Sequence, residues 1–294
     1  MSSVRAGRIA IVGRPNVGKS TLLNALVGEK LSIVSRRAQT TRSNILGILT
    51  QDDAQYVFVD TPGFQTKHGS PLNQRMNRGV RQALGEVDLV LLVVEAGRYD
   101  QQDRVVRQLV PAACPLIVAV NKIDQIADKN ELLPFLARLA GEGDFSAIVP
   151  VSATRRSQLD FLLGELRQRL PEAEWPYADD ELTDRSERFL AAEYIREKVF
   201  RLIGDELPYA VAVEIERFVV EGGLRRIAAA IIVDRPGQKP ILIGRAGQTM
   251  KRIASEARQD MQAMFGGPVF LEVFVKVRSG WAADEQVLAS LGYE

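Results

Sequence analysis

Eight consecutive residues, Gly13-Arg14-Pro15-Asn16-Val17-Gly18-Lys19-Ser20, follow the spacing of a glycine, four residues, then Gly-Lys-Ser. That spacing suits a polyphosphate. The glycines allow a tight turn in which successive backbone N–H groups and a helix N-terminus face the anion. Lys19 is then expected along the β- and γ-phosphates, and the Ser20 hydroxyl on Mg2+, with Thr21 completing the loop's contacts. Asp60-Thr61-Pro62-Gly63 closes a second apolar run. A carboxylate at a strand's C-terminal edge can make another contact to the same cation, and Gly63 can bring its N–H against a γ-phosphate with no side chain in the way. Residues 35–42 are polar and aperiodic. A threonine hydroxyl there, Thr41 ahead of Thr40, can complete the cation's shell when a γ-phosphate is present. The expected catalytic set is Lys19, Thr41 and Gly63, and the expected metal set is Ser20, Thr41 and Asp60.

Asn121-Lys122-Ile123-Asp124 ends another apolar run. Asp124 can accept two hydrogen bonds from the N1–H and 2-amino groups of guanine. Adenine has no donors there and would leave the carboxylate unpaired, so such a site discriminates by orders of magnitude. This selects GTP and GDP. Ser152-Ala153-Thr154, after the last apolar run, is expected to offer backbone N–H groups to the guanine O6.

The elements that must hold these loops are legible in the same stretches. Residues 8–12, 55–60, 89–94, 116–120 and 147–151 are short apolar runs that read as buried strands, and 45–50 pairs with 55–60 across Gln51-Asp52-Asp53. Helical periods separate them, the last carrying Leu159, Leu162, Leu163, Leu166 and Leu170 on one face. Each loop of interest lies at the C-terminal end of a strand. This predicts a doubly wound, mostly parallel α/β domain with its ligand at the carboxyl edge.

Composition narrows the rest. The chain has 294 residues, 46% hydrophobic and 26% charged, with a formal net charge of +1. It is long enough for two domains, has no apolar run of spanning length, and its one cysteine, Cys114, excludes an internal disulfide or a multi-cysteine zinc site. A cytoplasmic location follows as the expectation, with Cys114 an inert packed thiol and His68 a solvated surface residue. The domains expected are 1–172, a linker at 173–183 with one proline and four acids, and 184–294.

In the second domain Asp184 is expected to cap a helix with Glu187 three residues on. Two strands, 211–220 and 224–234, join across Glu221-Gly222-Gly223. A short helix leads into Gly244-Arg245-Ala246-Gly247, a long helix, a break at Gly266-Gly267-Pro268 and a last strand. Between Arg225 and Arg258 there are eight basic residues against two acids, Asp234 and Glu256. Such a field attracts a polyanion even on a neutral domain. Trp281 reads as packed rather than base-stacking.

In order, these motifs resemble the Ras-like GTPase superfamily over the first 170 residues, and a KH RNA-binding domain of the bacterial (type II) topology after it. The pairing resembles the Era family of bacterial GTPases. The resemblance implies a P-loop GTPase domain with a smaller α+β KH domain that binds the 3′ region of small-subunit ribosomal RNA and assists assembly of that subunit. It implies a cytoplasmic monomer, with peripheral association at the inner face of the membrane in some members. The Gly-x-x-Gly loop (Gly244, Arg245, Ala246, Gly247) and the basic Lys251, Arg225, Arg226, Arg235 and Lys239 become the RNA-binding set. Where Ras-like enzymes carry a water-orienting glutamine, this chain has Phe64, so slow intrinsic hydrolysis is expected. Asn16 matches the asparagine with which some relatives bind K+. The alternative is a GTPase whose second domain docks a protein or a membrane surface instead of RNA.

Overall fold

The computed structural model describes residues 4–35, 40–65, 71–203, 211–282, 284, 288 and 289. His68, most of the loop after Phe64, and Arg36, Arg37, Ala38 and Gln39 lie outside the described residues. Contacts divide the chain into two units. One comprises Met1–Ser32, Thr41–Gly69 and Asn73–Asp184, and the other Ile33–Thr40, Ser70–Leu72 and Arg185–Glu294.

The first unit is a six-stranded sheet built from β1 (Arg5–Val12), β2 (Ile45–Gln51), β3 (Ala54–Asp60), β4 (Leu89–Glu95), β5 (Leu116–Asn121) and β6 (Ala147–Pro150), in the order β2-β3-β1-β4-β5-β6. Only the β2–β3 hairpin is antiparallel. From Val90 to Val94 and from Ile117 to Val120 every side chain is shut off from solvent. Continuous apolar runs are what a strand covered on both faces requires. The helices are α1 (Lys19–Val27), α2 (Pro71–Gly85), α3 (Gln101–Gln108), α4 (Leu132–Ala140) and α5 (Leu159–Arg167). The five leucines of the α5 face are all buried. Cys114 is half-buried, and burial pushes its thiol pKa up, as suits a packing residue.

The proline- and acid-rich stretch after Pro171 groups with this unit and lies along the hairpin. The Ile48 N–H donates to the Leu182 carbonyl (2.8 Å), Gln55 exchanges two hydrogen bonds with the backbone of Tyr177, and the Thr183 hydroxyl donates to the Leu46 carbonyl. β2 is an edge strand whose open backbone groups need partners. A loop-like composition does not reveal that the segment meets this need.

The second unit runs α6 (Glu187–Leu202), β7 (Val211–Glu221), β8 (Leu224–Val233), α7 (Gln238–Ile243), α8 (Gln248–Phe265) and β9 (Val269–Val277). β7 and β8 are antiparallel, β8 and β9 parallel. Tyr194, Ile195 and Val199 of α6 share a core with Ile253, Ala257 and Met261 of α8 and the inward residues of the sheet. The cap of α6 is Ser186 rather than Asp184. Ser186 is extended and its hydroxyl accepts the Phe189 N–H (3.3 Å), whereas Glu187 forks onto Arg225. Asp184 stands two residues too early. Trp281 is fully buried, which removes it as a base-stacking platform. Among the described residues no helix is long and apolar enough to cross a membrane.

Candidate functional site

β1 delivers the chain into the phosphate loop at Gly13, and α1 leaves it at Lys19. The Lys19 ammonium is buried and donates to the carbonyls of Gly13 and Arg14, both at 3.1 Å. Burial drives its pKa down from 10.5 to about 8, against the pull of the nearby Asp60 carboxylate and with a further push from Arg14. A desolvated cation held by carbonyls alone is better satisfied by an anionic ligand.

Beside it three oxygens converge. Ser20 Oγ lies 2.8 Å from Thr41 Oγ1 and donates to Asp60 Oδ2 at 2.7 Å. The other carboxylate oxygen, Asp60 Oδ1, is buried without a hydrogen-bond partner. Burial raises the Asp60 pKa, while the Ser20 hydrogen bond, the Lys19 charge and a Ser32 hydrogen bond oppose the rise. An orphaned buried carboxylate oxygen among hydroxyls is the donor set a hard divalent cation takes. Thr40 turns elsewhere, its hydroxyl 2.7 Å from that of Ser35. Thr41 is therefore the threonine brought to the site.

Asp60 has a second anchor that the motif pattern did not contain. Ser32 is fully buried and its hydroxyl donates to Asp60 Oδ2 (2.9 Å). Asn24 of α1 fixes Ser32 in turn, accepting the Leu31 and Ser32 N–H groups and donating to the Ser32 carbonyl. A lone serine between Leu31 and Ile33 was the only available signal. Thr61 turns back into the sheet, its hydroxyl donating to the Ile11 carbonyl. A Cβ on Gly63 would stand 2.9 Å from Cα, Cγ and N of Pro15, so glycine here lets two loops touch backbone to backbone. Phe64 packs on the core that contains Val80 and Leu84, with Arg81 over its ring.

At the other end, Asn121 is buried between two loops. Its Nδ2 donates to the Val17 carbonyl (2.9 Å) and its Oδ1 accepts the Ala153 N–H (3.1 Å). The Asp124 carboxylate is exposed and held from behind by the Ser152 hydroxyl (2.5 Å) and more weakly by Thr154 (3.4 Å). The Ser152 and Ala153 amides are already taken, by Ser157 and Asn121, which leaves the Thr154 N–H as the amide of that trio available to a ligand. The Arg14 side chain points away from the loop's anion face, 5% exposed, onto Glu95 and Asp103. Only the backbone of Arg14 can serve a phosphate.

In the second unit Gly244 sits at φ 72 and ψ 177, a conformation essentially confined to glycine, and Gly247 caps α8. Arg245 and Ala246 are exposed at the turn, and Lys251 is exposed in the next helical turn. Arg235, before α7, and Lys239, in its first turn, are exposed too. Arg225 and Arg226 are not brought to this loop. They start β8, about 26 Å of strand from Val233 at some 3.3 Å per residue. Arg225 is spent on Glu187 and the face of Phe265, and Arg226 pairs with Glu221.

The family model described as 50S ribosome-binding GTPase matches residues 8–122, and the KH domain model matches 206–282. The chain is 55% identical to GTPase Era of Nitrosomonas eutropha, covering all of this chain and 99% of the relative. It is 55% identical to GTPase Era of Bordetella avium, at 99% and 98% coverage. Among solved structures it is similar to a variant of Aquifex aeolicus Era bound to GDP and AlF4−, and to Era in complex with MgGDPNP and nucleotides 1506–1542 of 16S ribosomal RNA. Each has a TM-score of 0.95 and 38% identity over 99% of both chains.

Proposed function

The chain belongs to the Era family of GTPases and hydrolyses GTP, and from that premise we propose that it is a nucleotide-controlled binder of single-stranded ribosomal RNA acting in small-subunit assembly. The observation that carries the reading is the conjunction, in one chain, of the buried Lys19–Ser20–Asp60 cluster with a Gly-x-x-Gly turn heading α8.

In the first unit, residues 13–21 cradle the phosphates through backbone N–H groups, and Lys19 lies along the β- and γ-phosphates. Mg2+ held by Ser20, Thr41 and Asp60 would neutralise charge on the phosphate oxygens as the terminal bond breaks. Gly63 brings its amide to the γ-phosphate. Asp124 accepts from guanine N1–H and the 2-amino group, Thr154 N–H meets O6, and Asn121 holds the two loops in register. Phe64 packs into the core and Arg14 is turned inward, so neither orients the attacking water or acts as an arginine finger. Slow hydrolysis by the isolated protein follows, since a finger alone is worth roughly 10³–10⁵ in rate. K+ beside Asn16 belongs to the same proposal, and equal rates in Na+ and K+ would remove it.

In the second unit, Gly244, Arg245, Ala246 and Gly247 clamp the backbone of about four nucleotides, with Lys251, Arg235 and Lys239 neutralising phosphates. Of the relatives, Era was captured with nucleotides 1506–1542 of 16S ribosomal RNA, and the corresponding RNA is the ligand proposed here. The coupling is motivated by residues 35–42, polar and aperiodic in sequence, which lead to Thr41 and which a γ-phosphate would order. Monomeric behaviour and peripheral contact with the inner membrane face complete the reading, testable by sedimentation and vesicle flotation.

The experiment is RNA affinity of the full chain for that 16S fragment, with a non-hydrolysable GTP analogue and with GDP. Tighter binding in the GTP state, abolished by Gly244→Asp with Gly247→Asp, is expected. Equal affinity in both states refutes the coupling, because a ligand that does not distinguish two states shifts nothing. Binding that survives the double substitution refutes the RNA site and favours a docked protein or membrane surface.

A further inference from the structure

Glu95 is the last residue of β4 and belongs to none of the motifs. It lies in register with Asn121 at the end of β5, so it stands at the carboxyl edge between the phosphate loop and the guanine motif. Its two oxygens are divided between those loops. Oε1 accepts from Lys122 Nζ at 3.0 Å, and Oε2 accepts from Arg14 Nη2 at 2.8 Å. The Arg14 guanidinium also faces a second acid, with Nε 3.3 Å from Oδ1 of Asp103 as an ion pair without hydrogen-bond geometry; the buried Asp103 accepts the Asp100 N–H in the capping box of α3. Lys122 needs such a hold. It adopts φ 67 and ψ 32, a left-handed conformation that is costly for a residue with a Cβ, directly before the turn that aims Asp124.

We propose that Glu95 is a positioning residue for guanine-nucleotide binding, a carboxylate brace that sets the span between the phosphate cradle and the base-reading loop. The brace separates two cations that would otherwise repel each other across the site, and holds Lys122 in the strained turn from which Asp124 projects. It acts before the nucleotide arrives, and equally for GDP and GTP, since neither side chain it holds is assigned to the γ-phosphate.

The inference rests on the nucleotide site proposed above, and the parent protein separates the two. If the parent fails to bind GDP tightly, that site reading fails; the brace is judged only by the change on substitution. Glu95→Gln is nearly isosteric, but its amide oxygen can accept from one cation while its NH2 faces the donors of the other. Losing charge-assisted hydrogen bonds of this kind is expected to weaken GDP and GTP binding alike by about tenfold or more. KM should rise in step, and kcat at saturating GTP should change by less than about threefold, the signature of lost uniform binding. A merely structural role would lower the active fraction, and hence kcat, with KM held. Arg14→Gln breaks the other arm and should weaken GDP by at least about threefold, so it decides the matter if Glu95→Gln does not fold. The two substitutions combined should cost less than the product of their separate effects. A GDP Kd within twofold of the parent in the folded variant, or a fall in kcat at constant KM, overturns the proposal.

Discussion

Replacing Asn121 by alanine removes a side chain that hydrogen-bonds to both the phosphate loop and the loop after β6. The Val17 carbonyl loses its donor and the Ala153 N–H loses its acceptor. Val17 is fully buried and Ala153 nearly so, hence bulk water does not readily replace either bond. An unsatisfied buried backbone group costs about 1–3 kcal/mol, so the pair sets a range of about 2–6 kcal/mol. Some relaxation of both loops is inevitable, and the lower half of that range, about 2–4 kcal/mol, is the expected outcome. Both bonds form without a nucleotide, so part of the loss must register as lowered stability of the free protein and the remainder as weaker GDP binding. Urea unfolding of the nucleotide-free chain and equilibrium titration with a fluorescent GDP read the two parts. At about 1.4 kcal/mol per decade, even half of 2–4 kcal/mol is about five- to thirtyfold in Kd. Leu133→Ala, at a side chain 73% exposed on α4, is the control and should stay within about 0.5 kcal/mol. An Asn121→Ala protein with GDP affinity within threefold of the parent and an unchanged urea midpoint would refute the bridging argument.

Ser32→Ala should leave Asp60 Oδ2 one donor short and raise the Mg2+ concentration needed to retain GDP by about tenfold, a hydrogen bond to a charged group being worth about 1.5–3 kcal/mol; GDP release followed against Mg2+ measures it, and an unshifted midpoint contradicts it. Gly63→Ala drives a methyl group against the Pro15 backbone, so single-turnover hydrolysis should fall more than about tenfold while GDP affinity changes less. The Arg167 guanidinium forks onto Asp53 at the β2–β3 turn and holds its carboxyl below the ordinary 3.8. A depressed folded pKa gives stability that is present above the unfolded value and lost as pH falls through the folded one. The urea midpoints of the parent and of Asp53→Asn should therefore differ by a constant amount from pH 7 to 5 and converge below pH 3.8.

Most of the first unit was legible because its strands are buried on both faces. Such runs as Leu89-Val90-Leu91-Leu92-Val93-Val94 tolerate nothing but apolar residues, so the pattern announces the element and its neighbours' glycines announce the turns. The cap of α6 was misplaced for a local reason. Asp184 and Ser186 both fit a capping side chain, and only the backbone, extended at Ser186, decides between them. The charge run of the second unit misled for a spatial reason. Arg225 and Arg258 are close in a count of charges, but β8 carries Arg225 and Arg226 to the far end of the sheet from Gly244, where Glu187 and Glu221 neutralise them.

What spacing cannot reveal is a polar contact between residues whose partners are set by the fold. The motifs contribute Lys19, Ser20, Asp60, Asn121 and Asp124, yet all but Lys19 are held by something outside their own motif. Asn24 fixes Ser32, which fixes Asp60, which takes the Ser20 hydroxyl; Asp103 faces Arg14 at ion-pair distance, and Arg14 shares Glu95 with Lys122. The first relay ends on Ser20, proposed for Mg2+, and the second on Lys122, in the loop proposed to read the base. A buried charge or amide can hold its position without ligand only if its remaining lone pairs and protons are satisfied by neighbours. The exceptions then carry the meaning. Asp60 Oδ1 is buried and bare, Lys19 is desolvated with only carbonyls to bind, and the Thr154 amide and the Asp124 carboxylate face outward. Of these side-chain groups only Asp60 Oδ1 is without a partner, and together they are the groups that the proposed cation, polyphosphate and purine edge would meet.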